Sequence, residues 1–215
     1  MNSKFLNFRL LVCTLICSSS FSANASQERL EDFFSNVSTL TADFSQRVVD
    51  ETGMLLELTS GRLSLSRPGK FRWDYVGEDS QLADRGVQII ADGESILLYD
   101  PDLEQVTQRS LQNALGQVPS LLLVQTGANI DDHFLITDIG ITDSLSWVLL
   151  KPRAEDAGFQ SIMIGFFQNY LAKITLIDGL GNETRLVLSN VANNPVMHDK
   201  VFHLDVPLGT DFLKE

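Results

Sequence analysis

The side chains that could perform chemistry are scattered along this 215-residue chain and form no motif for catalysis or metal binding. The histidines are His133, His198 and His203, and neither a zinc-protease motif nor metal-site spacing links them. Residues 92–96 lack the second glycine of a nucleophile elbow, and no glycine-rich phosphate loop precedes a helix. Asp100, Asp102 and Glu104 alternate like cation ligands but lack calcium-loop spacing, which favours a solvated turn. The sequence therefore predicts no catalytic residue, metal or cofactor.

Apolar surface is the more distinctive feature. The stretch 67–75 combines the turn Arg67-Pro68-Gly69 with a strand that has one aromatic face and one charged, solvated face. The aromatic side chains of that face are Phe71, Trp73 and Tyr75. Together with Phe44 and the run 121–124, they exceed what a thin contact between sheet and helix needs. Two interpretations stay open: these residues pack a core, or they line a lipid cavity beneath helices that can open.

Most of the chain alternates with a period of two, which predicts strands. The predicted strands are 41–49, 55–66, 71–75, 87–91, 95–99, 104–109, 134–139, 145–151, 159–168, 171–177, 185–190 and 201–206. An apolar stripe at helical spacing predicts a helix over 26–40. Residues 110–127 interrupt the strands with helical spacing, and Pro119 can open a second short helix there. The pattern predicts a curved, many-stranded antiparallel sheet with helices covering one face.

Residues 1–25 have the features of a cleaved signal peptide. Lys4 and Arg9 precede the apolar run 10–16, which is too short to span a bilayer, and Ala23-Asn24-Ala25 fits a signal peptidase site. We therefore expect residues 26–215 to form one exported domain.

Charge and cysteine content narrow the functional classes further. A net charge of −12 argues against a nucleic-acid partner and against adsorption to anionic membranes. Cys13 and Cys17 both lie in the predicted signal, and neither follows the small residue that a lipoprotein site requires. The exported product is thus expected to have no disulfide, catalytic thiol or lipid anchor.

Several short motifs resemble, in their order and spacing, those of the LolA family of periplasmic outer-membrane lipoprotein carriers. The matching segments are Phe44-Ser45-Gln46, Arg67-Pro68 with Phe71 and Trp73, Asp92-Gly93 with Leu97 and Tyr99, Pro101, Glu104-Gln105-Val106, a Pro-x-x-Leu-Leu pattern within 116–124, and 201–209, which resembles the family's final strand. The resemblance covers nearly all of residues 26–215.

The resemblance implies an incomplete, unclosed antiparallel β-barrel covered by an α-helical lid, in a monomeric periplasmic protein that is not an enzyme. Its hydrophobic cavity would bind the acyl chains of lipoproteins. The donor would be an inner-membrane ATP-driven transporter of the LolCDE type, and the outer-membrane acceptor a LolB-type protein. The expected cavity residues are Phe44, Phe71, Trp73, Tyr75, Leu121 and Leu122.

The resemblance also gives Arg67 a role. In the family, the matching arginine holds the lid shut by bonding backbone carbonyls of the lid helix, which would lie here near Leu123 and Val124. A guanidinium suits this role because it has five donors and keeps its charge. An ordinary turn arginine is the alternative. The chain departs from the family in a longer segment at 78–86, whose role stays open. It also stops soon after Gly209, which leaves open a guard against back-transfer built from a long carboxyl-terminal extension.

Three other functions remain open. The same fold could carry another amphiphile, such as a glycolipid or an envelope lipid precursor. It could act as an envelope sensor or interaction module, although such relatives tend to have a further domain. An unrecognised hydrolase is the last alternative, since no nucleophile and base are paired in the sequence.

Overall fold

The structure is a computed structural model that describes residues 25–76, 86–111, 123–124 and 130–214. The helices in these ranges are α1 (Ala25–Asn36), α2 (Ile130–His133) and a 3₁₀ helix at Asp199–Phe202. The strands are β1 (Thr39–Val49), β2 (Leu55–Ser66), β3 (Lys70–Tyr75), β4 (Gln88–Asp92), β5 (Ser95–Asp100), β6 (Gln105–Ser110), β7 (Phe134–Thr142), β8 (Leu145–Pro152), β9 (Phe159–Phe167), β10 (Tyr170–Asp178), β11 (Glu183–Asn193) and β12 (Asp211–Lys214).

The strands of the described ranges form one sheet in the order β12-β6-β5-β4-β3-β2-β1-β11-β10-β9-β8-β7. Neighbouring strands are antiparallel, with the exception of β12, which pairs in parallel with β6. Strands β12 and β7 end the order without pairing to each other, so the sheet is unclosed. The predicted fold class, a mainly β protein built on an incomplete, unclosed antiparallel β-barrel, is confirmed.

Alternation along the strands separates a buried inner face from an outer face. On β1, Leu40, Ala42 and Phe44 are buried, while the residues between them are half-buried. On β3, Phe71 and Trp73 are buried on the same inner face. Because successive strand side chains point to opposite faces, these short patterns are enough to fix which side becomes the core.

Helix α1 lies over the end of the sheet formed by β7 and β8. Its apolar stripe is buried as predicted, with Leu30, Phe33 and Phe34 almost inaccessible. The Phe33 ring lies 5.7 Å from the ring of Phe166 on β9. Burial of this stripe, rather than the intrinsic helix propensity of so short a segment, therefore holds α1 in place.

Gly61 on β2 makes room for an aromatic cluster. It pairs with Phe44 on β1 and with Tyr75 on β3. The Phe44 ring packs edge-on against Trp73 at 5.2 Å and against Tyr75 at 5.3 Å, and a Cβ on Gly61 would meet that ring at 2.7 Å. The missing side chain thus allows the ring of Phe44 to cross the strand.

The predicted extension of the first helix to Leu40 is wrong. Helix α1 ends at Asn36, and Leu40 belongs to β1, where it pairs with Leu65 and Asn193. Asn194 fixes the junction, because its side chain accepts from the Ser38 N–H at 2.8 Å and donates to the carbonyl of Asn36. Pairing on both sides of the strand overrides a local pattern that fits a helix equally well.

The predicted strand at 201–206 is also wrong. This segment contains part of the 3₁₀ helix and then irregular backbone, and it lies across the outer face of β3 and β4. Lys70 forms an ion pair with Asp199 at 2.9 Å, and Arg72 donates to the carbonyls of Val201 and His203. Phe202 is buried, so part of the face predicted to be solvated is covered. The final strand is instead β12.

The mid-chain helical segment falls largely outside the described residues. Leu111 and the pair 123–124, which has 3₁₀ geometry, are described, whereas Leu121, Leu122 and the segment 77–85 are not. Ile130 opens the short helix α2, which packs on β7.

Candidate functional site

An apolar cavity of about 190 Å³ lies on the inner face of the sheet. Its lining residues come from six strands and the 123–124 segment: Gln46, Trp73, Tyr75, Ile89, Leu123, Ile162, Ile164, Ile174, Leu176, Thr184 and Leu186. Small-molecule pockets usually measure roughly 300–1,000 Å³, so this cavity is small in the conformation observed. A ligand with long chains would have to displace part of what covers it.

Arg67 joins two of the segments above the sheet. Its Nε donates to the carbonyl oxygen of Leu123 at 3.0 Å. Its Nη1 donates to the carbonyl oxygens of Phe33, at 3.2 Å, and of Val37, at the carboxyl end of α1. One guanidinium therefore bonds to both α1 and the 123–124 segment. We call this arrangement the Arg67 latch.

The surroundings of the Arg67 latch are aromatic and shielded from water. The Cζ atom of Arg67 lies 4.6 Å from the ring centroid of Phe33 and 4.9 Å from that of Phe34, within the range of cation–π attraction. Burial lowers the pKa of Arg67 to about 10, which still leaves the side chain charged at neutral pH. Its Nη2 is buried without a hydrogen-bond partner in the described part of the chain. Because the guanidinium is charged and partly removed from water, breaking its hydrogen bonds to these carbonyls would be energetically unfavourable.

The turn around Arg67 adds backbone bonds to the chain just after α1 and to the 123–124 segment. The N–H of Arg67 donates to the Ser38 carbonyl at 2.8 Å, and the N–H of Gly69 donates to the Val124 carbonyl at 2.9 Å. Gly69 has a φ of +75°, a left-handed conformation that glycine adopts without strain. Leu123 and Val124 are both buried.

The amino end of α1 is held by a carboxylate on β7. Oδ2 of Asp138 accepts from the backbone N–H of Ser26 at 2.9 Å, and Oδ1 accepts from the N–H of Gly140 at 2.7 Å. Burial alone would raise the pKa of Asp138, but backbone donors at Ser26, Gly140 and Gln27 more than offset it, and the pKa is lowered. Helix α1 is thus tied down at both ends.

Substituting Asp138 by alanine should lower the free energy of unfolding by about 1 kcal/mol, the usual effect of losing an amino-terminal cap. Because the folded pKa lies below the unfolded value of about 3.9, the ionised carboxylate stabilises the fold above that pH. The difference between wild type and Asp138→Ala should therefore shrink as the pH falls below about 4. Urea unfolding at pH 7 and pH 3 measures both values, with Asp138→Asn as the variant that keeps one acceptor. An equal difference at the two pH values would contradict this role for the charge.

The structure separates the residues predicted to line the cavity. Trp73 and Tyr75 line it. Phe44 and Phe71 are buried in the surrounding core and are not among the lining residues. The predicted partners of Arg67 lie close by, since Leu123 supplies a carbonyl to its side chain and Val124 supplies one to Gly69.

Sequence reasoning missed two groups of residues at the site. The first is the carbonyls of α1 that Arg67 bonds, because a backbone carbonyl carries no signal in the side-chain sequence. The second is most of the lining, which the sequence did not predict to border a cavity: Gln46, Ile89, Ile162, Ile164, Ile174, Leu176, Thr184 and Leu186. Alternation can predict which side chains face the interior, but it cannot predict that a cavity remains between them.

The site offers little that could bind a metal. Within the described ranges, no three His, Cys, Asp or Glu side chains come together in a way that would hold a metal ion. Among those same residues, no helix is long and apolar enough to cross a membrane.

The family described as "Outer membrane lipoprotein carrier protein LolA" matches this chain over residues 35–205. The chain belongs to the LolA family. Two similar relatives are each named outer-membrane lipoprotein carrier protein. The one from Methylobacillus flagellatus is 37% identical over 213 residues, which covers 99% of this chain and 100% of that protein. The one from Pseudomonas aeruginosa is 38% identical over 192 residues, 89% of each chain.

Solved structures share the LolA-family fold at much lower identity. A LolA superfamily protein from Nitrosomonas europaea aligns with a TM-score of 0.50 at 13% identity, over 86% of this chain and 98% of that one. An uncharacterized conserved protein from Thermus thermophilus aligns with a TM-score of 0.53 at 10% identity, over 90% and 99%. The resemblance inferred from the sequence motifs is therefore confirmed at the level of family and fold.

Proposed function

We propose that this chain is a periplasmic chaperone that binds the acyl chains of lipoproteins released from the inner membrane and carries them to an outer-membrane acceptor. The observation that carries the proposal is an apolar cavity bordered by Leu123, whose carbonyl is bonded by a half-buried arginine that also bonds α1. Membership of a family of outer-membrane lipoprotein carriers supports it.

The energetics of the cargo explain why such a cover is useful. Each CH₂ removed from water gains roughly 0.8 kcal/mol, so three long acyl chains represent tens of kcal/mol. A rigid, open trough of that affinity would not release its cargo. If the helical segments and the acyl chains compete for the same apolar surface, the protein must open before it binds. The free energy lost on opening then weakens the net affinity for the lipoprotein, so that transfer to an acceptor becomes feasible.

The proposed partners follow from the direction of transport. The donor is an ATP-driven inner-membrane transporter of the LolCDE type, and the acceptor is an outer-membrane protein of the LolB type. No catalytic step is proposed, because moving a lipoprotein between proteins neither makes nor breaks a covalent bond. The Arg67 latch, with Leu123 and Val124, is proposed to hold the closed state.

Trp73 should report the arrival of cargo. Its indole lines the cavity, whereas Trp147, the other tryptophan of the sequence, lies on the outer face with its ring against Gly165. In a Trp147→Phe variant we expect the fluorescence of Trp73 to change on adding a triacylated lipopeptide and to stay constant with the same peptide lacking acyl chains. A titration of each peptide measures this.

The reciprocal variant is the matched control. With Trp73→Phe, the remaining Trp147 should respond to neither peptide. If Trp73 responded equally to both peptides, or to neither, it would be an ordinary core residue and the cargo would bind elsewhere.

Depletion of the protein in cells tests the whole proposal. Outer-membrane lipoproteins should then accumulate at the inner membrane. If they reached the outer membrane normally, the carrier proposal would fail. Mass spectrometry of material that co-purifies with the protein would then identify any other amphiphile it binds.

A further inference from the structure

The cavity has two walls of different chemistry. Strands β9 and β10 supply a purely aliphatic wall of Ile162, Ile164, Ile174 and Leu176. Strands β1, β3 and β11 supply Gln46, Tyr75 and Thr184, which we call the polar wall. Hydrocarbon chains alone would be sheltered best by a lining without hydrogen-bonding groups. The polar wall therefore suits a ligand that has hydrogen-bonding groups in addition to its hydrocarbon chains.

The polar wall presents both donors and acceptors. A glutamine side chain has an acceptor oxygen and two N–H donors, and each hydroxyl can donate or accept. The Gln46 side chain lies near the Tyr75 hydroxyl and interacts with it, and both groups can form further hydrogen bonds. Burial, together with the negative charge of Glu57, raises the pKa of Tyr75 to about 12, so its hydroxyl keeps its proton at neutral pH.

Two polar atoms near the polar wall are buried and have no hydrogen-bond partner in the described part of the chain. Thr59 Oγ1 is one, and Thr59 pairs directly with Gln46 across β1 and β2. Trp73 Nε1 is the other, on a residue that itself lines the cavity. A buried polar group without a partner destabilises a fold, and most such groups in proteins are satisfied. A polar ligand group bound beside the polar wall would be placed to supply the missing bonds.

The register places the polar wall between the apolar interior and solvent. Thr184 pairs with Val48, one step along the inner face from Gln46, so the two polar side chains are diagonal neighbours. Val48 also pairs with Glu57, which is exposed. A bound amphiphile could thus lay its chains against the aliphatic wall and keep its polar linkage near this end of the sheet.

We propose that the polar wall binds the ester and amide groups through which acyl chains are attached to the terminal residue of a lipoprotein. This inference rests on the proposed carrier function and names which part of the cargo is recognised. The ester carbonyls would accept from the Gln46 side-chain N–H or from a hydroxyl, and the N–H of the N-acyl amide would donate to the Gln46 side-chain oxygen or to a hydroxyl oxygen. The cavity would then distinguish a lipoprotein from a plain hydrocarbon of equal length.

A pair of synthetic ligands tests this without altering the protein. One is a triacylated cysteinyl lipopeptide with ester linkages on its glycerol, and the other is the same peptide with ether linkages, which lack the carbonyl acceptors. The wild-type chain should bind the ester form about tenfold more tightly. A double variant, Gln46→Leu with Thr184→Val, keeps side-chain volume and should lose that preference while still binding the ether form.

The controls separate this inference from the function on which it rests. Thr137→Val, an exposed position on the outer face of β7, should keep the wild-type preference. Tyr75→Phe removes one hydroxyl and should reduce the preference several-fold, which provides a readout if the double variant does not fold. If the wild type bound both lipopeptides without preference, or if the folded double variant kept the preference, the inference would be overturned while the carrier function stood. Binding of neither lipopeptide by the wild type would overturn both.

Discussion

Replacing Arg67 by leucine should slow the transfer of a bound lipopeptide to its acceptor at least tenfold. The variant loses the bonds from a charged donor to the carbonyls of Leu123, Phe33 and Val37. Such bonds contribute about 1.5–3 kcal/mol each, and a net loss of about 3 kcal/mol shifts the competition between closure and cargo by roughly a hundredfold. The loaded form is then too stable to pass its cargo on. Transfer of a fluorescent lipopeptide to a LolB-type acceptor measures the rate.

An arginine outside the latch provides the matched control. Arg62 has a side chain that is 75% exposed and a long ion pair to Asp43 at 3.5 Å, so Arg62→Leu should transfer cargo at the wild-type rate. Arg67→Lys keeps the charge but not the fork of donors and should be intermediate. If Arg67→Leu matched the wild type, the latch assignment would be wrong and Arg67 would be an ordinary turn residue.

Adding a methyl group at Gly61 should destabilise the fold by about 3 kcal/mol, near the upper end for overpacking. The new Cβ would lie 2.0 Å from the carbonyl oxygen of Asp74 and 2.7 Å from Cζ of Phe44. The carbonyl belongs to the backbone of the adjacent strand, so relief requires β3 to move away from β2. The midpoint of urea unfolding for Gly61→Ala measures the loss.

Gly179 is the comparison for this substitution. A Cβ there would have its nearest contact at 3.6 Å, with the Gly158 carbonyl oxygen, which is an ordinary van der Waals distance. Gly179→Ala should therefore change stability by less than about 0.5 kcal/mol. Equal effects at the two positions would show that strands β2 and β3 yield more easily than this close approach implies.

Local patterns predicted the strands well because alternation is a property of neighbouring residues. The range 55–66 was predicted without error, and most other strands differ by one to three residues at their ends. The prediction failed at 201–206, where alternation is present but the free edge of β6 is taken by β12 instead. A strand forms only where a neighbouring strand is free to pair with it, and the local sequence does not show which distant strand that will be.

The candidate site was predictable only in part for a similar reason. Alternation placed Phe71, Trp73 and Tyr75 on one face, but whether a side chain borders an empty space or a neighbour depends on packing between distant strands. The role of Arg67 came from the resemblance to a family, since an arginine beside a turn proline is ordinary by itself. Its bonds to α1 depend on where that helix ends, which the sequence misplaced by four residues.

The sharing of one guanidinium between α1 and the 123–124 segment has a consequence for how the protein opens. Leu123 accepts from Nε, whereas Phe33 and Val37 accept from Nη1, so either element could separate while the other kept its bonds. Separation of one element would leave the half-buried guanidinium with fewer carbonyl acceptors, which is unfavourable for a charged group. If the latch role proposed for Arg67 holds, opening at one element should therefore lower the free energy needed to open the other.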